Sequence, residues 1–269
     1  MNGKVLRNRF YDDLQDANQF AELETVLLSE SNLPGPRANL GTAAVFAAAF
    51  ESSEVTSEAW NLILKWVNTT AANAPTNNPG EFLPFCGLQA MGAYFDYAEL
   101  PRKQIILEKC QAAMNDDRWR MREAAAMALQ RIGEREFNVI QSLFDSIAPR
   151  ANPLEKRAFV ATLAHPPLLK DPSHVQYALQ LSEQILDEIT VVEVNYAAED
   201  YRVLSKGLEY AVSLFVERAP DAGFALLAKF AVSTDKRIQK IVKSNLGKTR
   251  LATKFSHEVK QIQQLLENV

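Results

Sequence analysis

The sequence predicts an all-α fold. Glycine contributes only 10 of the 269 residues, and the alternation of apolar and polar residues that marks a strand is nearly absent. The nearest exception, residues 189–194, is short and isolated, so we interpret it as a helix end or a connector. Prolines fall in clusters, between which lie long proline-free stretches such as 102–148 and 173–219. Because proline is excluded from helix interiors, these clusters mark the ends of helical hairpins.

Helices can be assigned in order between the proline clusters, as successive pairs with one further helix at the end. The pairs are 10–29 with 37–50, 56–72 with 82–97, 102–115 with 118–132, 135–147 with 153–164, 173–189 with 200–218, and 221–232 with 236–246, and the last helix is 256–268. Their average spacing is roughly 40 residues, which is in the range of HEAT and armadillo units. We interpret residues 1–269 as a single domain built from these pairs.

The helix at 118–132 has the clearest apolar face. Its apolar residues recur with the period of an α-helix and form one stripe. The stripe consists of Met121, Ala124, Ala125, Ala128, Leu129 and Ile132. The same face recurs 117 positions later at Ile238, Ile241, Val242, Asn245 and Leu246. Asp116 and Asp117 precede the first helix as predicted caps, and Gly133 follows it as a predicted stop.

Residues 116–129 resemble the second half of a HEAT repeat. The family pattern is an aspartate, then an aliphatic residue and an arginine, then two alanines and a leucine. It is matched by Asp116, Met121, Arg122, Ala124, Ala125 and Leu129. The resemblance implies a right-handed α-α superhelix of about six hairpins, closed by a C-terminal capping helix. It also implies that Asp116 and Arg122 form a ladder between neighbouring repeats, from which the second copy departs with Ser233 and Gln239.

Most signatures of catalysis are missing from the sequence. It contains no G-x-S-x-G, H-E-x-x-H or G-x-G-x-x-G motif. The three histidines, at 165, 174 and 257, are scattered, so we expect no metal site and no cofactor. Cys86 and Cys110 lie on apolar helix faces, where a free cysteine acts as a small hydrophobic residue.

Trp119 and Glu123 are the candidate residues of a concave face. Both lie on the side of their helix opposite the apolar stripe. An aromatic ring beside a carboxylate could stack on a nucleobase and stabilise a developing cation. Alkylpurine DNA glycosylases built from HEAT-like repeats use such residues, and the chain resembles them in architecture only. The alternative is that Trp119 packs on a neighbouring repeat, whereas Trp60 and Trp66 are expected in the core.

Basic residues concentrate between 229 and 260, where nine bases and two acids give a net charge of +7. The candidate binding patch consists of Lys236, Arg237, Lys240, Lys243, Lys248 and Arg250. Such a patch could contact phosphates or an acidic peptide, and the alternative is a solvated helix face. The acidic segments 12–36 and 183–200 would suit a basic partner.

The sequence therefore predicts a non-enzymatic scaffold that binds a protein or peptide through a curved solenoid surface. The alternative is a nucleic-acid-binding HEAT-like protein of the alkylpurine DNA glycosylase type, and a HEAT-like chromophore lyase has no specific residue in its support. The net charge of −4 excludes a uniformly basic nucleic-acid binder. No apolar run of 18 residues predicts a membrane span. Two cysteines are too few for a disulfide framework and no apolar leader opens the sequence, so we expect a cytoplasmic protein.

Overall fold

The computed structural model describes residues 3–191 and 198–268, and within these ranges the fold is all-α, with no strand. The helices are α1 (Gly3–Gln15), α2 (Phe20–Ser29), α3 (Leu40–Ala48), α4 (Ser57–Val67), α5 (Phe82–Tyr94), α6 (Leu100–Met114), α7 (Trp119–Arg135), α8 (Phe137–Ile147), α9 (Pro153–Leu163), α10 (Pro172–Thr190), α11 (Ala198–Arg218), α12 (Pro220–Ala231), α13 (Lys236–Leu246), α14 (Thr249–Ala252) and α15 (Ser256–Glu267). Within the described ranges, none of these helices has both the length and the apolar character needed to cross a membrane. Residues 192–194 of the predicted connector, and Glu193 of the acidic segment, lie outside the described residues.

The chain divides into two compact units, Met1–Leu143 and Phe144–Val269. In the first unit, alternate helices α1, α3, α5 and α7 pack side by side in that order. The helices between them, α4 and α6, pack against this row, as does α2. This is the arrangement expected of successive helical hairpins. The interpretation of 1–269 as one domain stays a prediction.

The second unit repeats this plan. Helices α9, α11 and α13 pack side by side, while α10 and α12 pack against α11 and against each other. Helix α15 lies against α12 and α13 at the end of the row. Near the start of this unit, the rings of Phe144 and Phe159 pack with centroids 4.5 Å apart.

Helix α5 lies in the middle of the first unit. Every residue of α5 except Leu83 is buried, in agreement with a sequence that is apolar on all sides apart from Gln89. Gly92 allows α5 to approach α7 closely, since a Cβ atom there would lie 2.6 Å from the Cα atom of Ala128. The row of helices therefore depends on a missing side chain at this crossing.

The two copies of the apolar stripe are both buried. On α7 this applies to all six predicted residues, and on α13 to all five. Asn245 takes the place that Ala128 has in the first copy, and its side chain is fully buried. Its Oδ1 atom accepts a hydrogen bond from the Ser213 amide at 2.7 Å, and its Nδ2 atom donates to the Leu208 carbonyl at 2.9 Å. A polar residue is tolerated on this buried face because main-chain groups of α11 form hydrogen bonds with its side chain.

Several helix boundaries differ from the prediction. The first predicted helix is broken at Asp16, whose carboxylate accepts the Asn18 amide at 3.0 Å and begins a 3-10 turn. The predicted stop at Gly133 is wrong, because α7 continues to Arg135 and buries Gly133 within it. The helix ends where the Glu136 amide donates to the Ile132 carbonyl at 2.8 Å. The short helix α14 had no signal in the apolar pattern.

Candidate functional site

An open hollow of about 510 Å³ surrounds Trp119 in the first unit. Three segments build it, namely the loop after α2, the loop before α5 and the first turn of α7. Its lining residues are Pro34, Gly35, Pro36, Thr76, Asn77, Trp119 and Arg120. We call this feature the Trp119 hollow.

Trp119 is exposed although its neighbours in sequence are buried. It is the first residue of α7 and keeps 42% of its surface accessible, while Arg118, Arg120 and Met121 are buried. The guanidinium carbon of Arg120 lies 4.4 Å from the centre of the indole ring. This cation–π contact holds the ring in one orientation without covering it.

A buried ion pair fixes Arg120 beneath the ring. Its Nη1 atom lies 3.0 Å from Oε2 of Glu81, and both side chains are almost fully buried. Its Nη2 atom donates to the Gly35 carbonyl at 2.6 Å. The Asn77 amide donates to the same Glu81 oxygen at 2.8 Å, and Asn77 Oδ1 accepts the Gly35 amide at 2.8 Å. The network thus joins all three segments that line the Trp119 hollow.

Glu123 lies one turn further along α7 and is partly buried. Among the described residues, the lining of the Trp119 hollow includes Trp119 but not Glu123. The two candidate concave-face residues are therefore neighbours on one helix, and only the tryptophan faces the hollow.

The two predicted ladder residues are connected, but through a main-chain atom. Arg122 Nη1 donates to the Asp116 carbonyl oxygen at 2.6 Å. The Asp116 carboxylate instead pairs with Arg118 at 2.7 Å, and Arg118 reaches the Ala74 carbonyl at 3.3 Å. Burial raises the pKa of Asp116, but the hydrogen bonds and charge of Arg118 outweigh it and hold the pKa below its usual value. Sequence reasoning missed Arg118, which is buried and connects the start of α7 to the loop between α4 and α5.

The second copy keeps this local geometry with different residues. Gln239 Nε2 donates to the Ser233 carbonyl at 3.0 Å, as Arg122 does to Asp116. Ser233 Oγ accepts the amide two residues later at 3.2 Å, as the Asp116 carboxylate does at 2.8 Å. The departures from the HEAT pattern at Ser233 and Gln239 therefore preserve the two hydrogen bonds.

Five of the six residues of the candidate basic patch fall into two groups. In the first group, Arg237 pairs with Asp235 at 2.6 Å, Lys240 pairs with Glu209 at 3.0 Å, and Lys236 donates to Gln239 at 3.2 Å. The hydrogen bonds and charge of Arg237 lower the pKa of Asp235. The group is thus largely engaged with neighbouring side chains of its own unit.

Lys248 and Arg250 form the second group, beside Tyr210 of α11. Their cationic atoms lie 5.9 Å and 5.0 Å from the centre of the Tyr210 ring. Tyr210 is 52% exposed, and sequence reasoning missed it. The available signal was its position off the buried stripe of α11, the same signal that singled out Trp119 on α7. Lys243 is exposed on α13.

The cysteines and the candidate metal ligands can also be compared with the predictions from sequence. Cys86 and Cys110 are both fully buried. Burial raises the pKa of both thiols, that of Cys110 to about 12, so neither is a thiolate near neutral pH. Among the described residues, no group of three or more His, Cys, Asp or Glu side chains is placed to hold a metal ion.

No protein family and no curated protein matches this chain. Among solved structures, the crystal structure of an engineered protein is similar, with 14% sequence identity and a TM-score of 0.35. The similarity covers 97% of this chain and 98% of the engineered one.

Proposed function

We propose that this protein is a non-enzymatic scaffold that binds a partner protein or peptide, and that the Trp119 hollow receives an anchor side chain of that partner. The observation that carries the proposal is the exposed indole of Trp119, fixed over a buried guanidinium. Tryptophan and arginine are enriched at the centres of protein interfaces.

The hollow is prepared for binding before a partner arrives. Its three segments are joined by the Arg120–Glu81 pair and by the Asn77–Gly35 hydrogen bond. A partner would therefore lose little free energy in ordering loops, which is a main cost of association. The buried pair contributes geometry more than stability, since desolvation offsets much of its Coulomb attraction.

The walls of the hollow favour an uncharged, extended peptide segment. Pro34, Pro36 and the Trp119 ring provide apolar surface, and Thr76 and Asn77 provide polar groups beside it. Arg120 is already paired, so it offers no free charge to attract an acidic group. We expect a proline or aliphatic side chain to lie against the indole.

We also propose the HEAT-like repeat class for the helical hairpins. In support, alternate helices form a row within each unit, and the α7 and α13 copies share the side-chain bond to the carbonyl six residues earlier. The right-handed superhelix of about six hairpins with a C-terminal cap stays a prediction. The glycosylase alternative would need Trp119 and Glu123 in one site, and the lining of the hollow gives it no support.

The proposal can be tested with peptides selected from a random display library on the whole protein. We expect Trp119→Ala to weaken their binding at least about tenfold, as is usual for an interface anchor. Tyr97→Ala is the matched control, since Tyr97 is similarly exposed at 44% in the same unit. Peptides that bind both variants equally well, or a library that yields no binder, would contradict the proposal.

A further inference from the structure

A second surface with its own chemistry lies in the second unit, around Tyr210. It consists of Tyr210 on α11 and of Lys248 and Arg250 at the start of α14, and we call it the Tyr210 surface. Lys248 and Arg250 stand 5.9 Å and 5.0 Å from the ring centre of Tyr210. An exposed aromatic ring and two cations are therefore side by side.

Buried contacts hold this surface in place. Asn245, at the end of α13, accepts the Ser213 amide at 2.7 Å and donates to the Leu208 carbonyl at 2.9 Å. Arg250 Nη1 donates to Ser213 Oγ at 3.3 Å. The turn that carries Lys248 and Arg250 is thus fixed to the stretch of α11 that carries Tyr210.

The positive charge of the Tyr210 surface is not neutralised locally. Nearby carboxylates are engaged with other bases, because Glu209 pairs with Lys240 at 3.0 Å and Glu217 pairs with Lys254. Within the described residues, no carboxylate oxygen lies within 4.0 Å of the side-chain nitrogens of Lys248 or Arg250.

Some other bases in the second unit are paired with acids. Lys229 contacts Glu183 at 2.9 Å and Asp187 at 2.8 Å, and these contacts raise the pKa of the lysine. The Tyr210 surface instead places two cations beside an exposed aromatic ring. Its charge is complementary to that of a polyanion.

We propose that the Tyr210 surface binds single-stranded nucleic acid. Lys248 and Arg250 would contact phosphates, while Tyr210 would stack on an unpaired base. Proteins that bind single-stranded nucleic acid without sequence preference combine basic groups with aromatic rings in this way. A duplex keeps its bases stacked inside, and an acidic peptide has no base to place on the ring, so neither would use Tyr210.

Fluorescence anisotropy with labelled dT and U oligonucleotides tests the proposal at about 50 and about 200 mM salt. Two phosphate contacts predict a roughly 7-fold loss of affinity over this fourfold rise in salt. Tyr210→Ala should weaken binding by roughly 5- to 150-fold with the salt dependence unchanged, whereas Tyr210→Phe should keep the affinity. The pair of changes Lys248→Gln and Arg250→Gln should weaken binding and flatten the salt dependence.

Lys260→Gln is the matched charge control, because Lys260 is an exposed base of the same unit outside the Tyr210 surface. It should leave the affinity nearly unchanged. The proposal is overturned if no oligonucleotide binds at low salt, if Tyr210→Ala binds like wild type, or if duplex DNA or polyglutamate competes as well as dT. The Trp119 hollow belongs to the other unit. The Trp119→Ala variant should therefore bind the oligonucleotide with wild-type affinity, whether or not Trp119 is needed for peptide binding.

Discussion

Arg120 and Glu81 form an ion pair in which both side chains are almost completely buried, with 3.0 Å between Nη1 and Oε2. Glu81→Gln would leave the guanidinium buried without its counter-charge. We expect this to lower the free energy of unfolding by about 3–5 kcal/mol, the usual cost of breaking a buried pair from one side. Urea denaturation followed by circular dichroism measures the change.

The matched control for this substitution is Glu99→Gln in the same unit. Glu99 approaches Arg102 at 3.5 Å, and its side chain is largely exposed. Exposed pairs contribute between about 0 and 1 kcal/mol, so this change should be nearly neutral. Equal destabilisation by the two substitutions would show that the buried pair does not hold the loops of the Trp119 hollow.

Asn245 of the second copy corresponds to Ala128 of the first. The substitution Asn245→Ala therefore makes the two copies alike at this position. The substitution removes the acceptor of the Ser213 amide and the donor to the Leu208 carbonyl. Both main-chain groups lie within α11, so the change removes their hydrogen bonds to α13, each of which contributes about 0.5–1.5 kcal/mol. We expect a lower midpoint of urea unfolding with the slope unchanged, and a variant as stable as wild type would contradict the packing of α13 on α11.

The two cysteines should be unreactive in the folded protein. With its pKa at about 12, the Cys110 thiol is ionised to only about one part in 10,000 at pH 8. Because the pKa is raised, the thiolate fraction and any reaction should grow with pH up to about 12. An aromatic disulfide reagent should therefore label neither cysteine at pH 8 until urea is added, when both should react, and rapid labelling of native protein would contradict their burial.

The sequence was sufficient for features that depend on local spacing. The stripe from Met121 to Ile132 was predictable because one α-helical period brings those residues to one face. The same arithmetic placed Trp119 off the stripe, but it left open whether the ring packs on a neighbouring repeat. Helix boundaries were less predictable in two situations. At Asp16 a side-chain hydrogen bond to the main chain ends one helix and begins the next turn, and at Gly133 the helix continues through a glycine.

The contacts that define the two sites could not be predicted, because they join residues far apart in the sequence. Arg120 meets Glu81 from 39 residues away, and Arg118 meets the Ala74 carbonyl from 44 residues away. Tyr210 lies in a helix with no excess of basic residues, and only the packing of α11 against α13 and α14 brings Lys248 and Arg250 beside it. Likewise, the pairing of Lys240 with Glu209 divides a basic patch that appears continuous in sequence.

Tryptophan emission provides a direct test of the Trp119 hollow in the free protein. The chain has three tryptophans, of which Trp60 and Trp66 are buried and Trp119 is 42% exposed. Trp119→Phe should therefore remove most of the emission that acrylamide quenches and shift the remaining spectrum to the blue. Trp66→Phe is the control, because it removes a buried indole and should leave the quenchable part unchanged. If quenching of the wild-type protein survives Trp119→Phe, then the indole is covered and cannot serve as the anchor point for a partner.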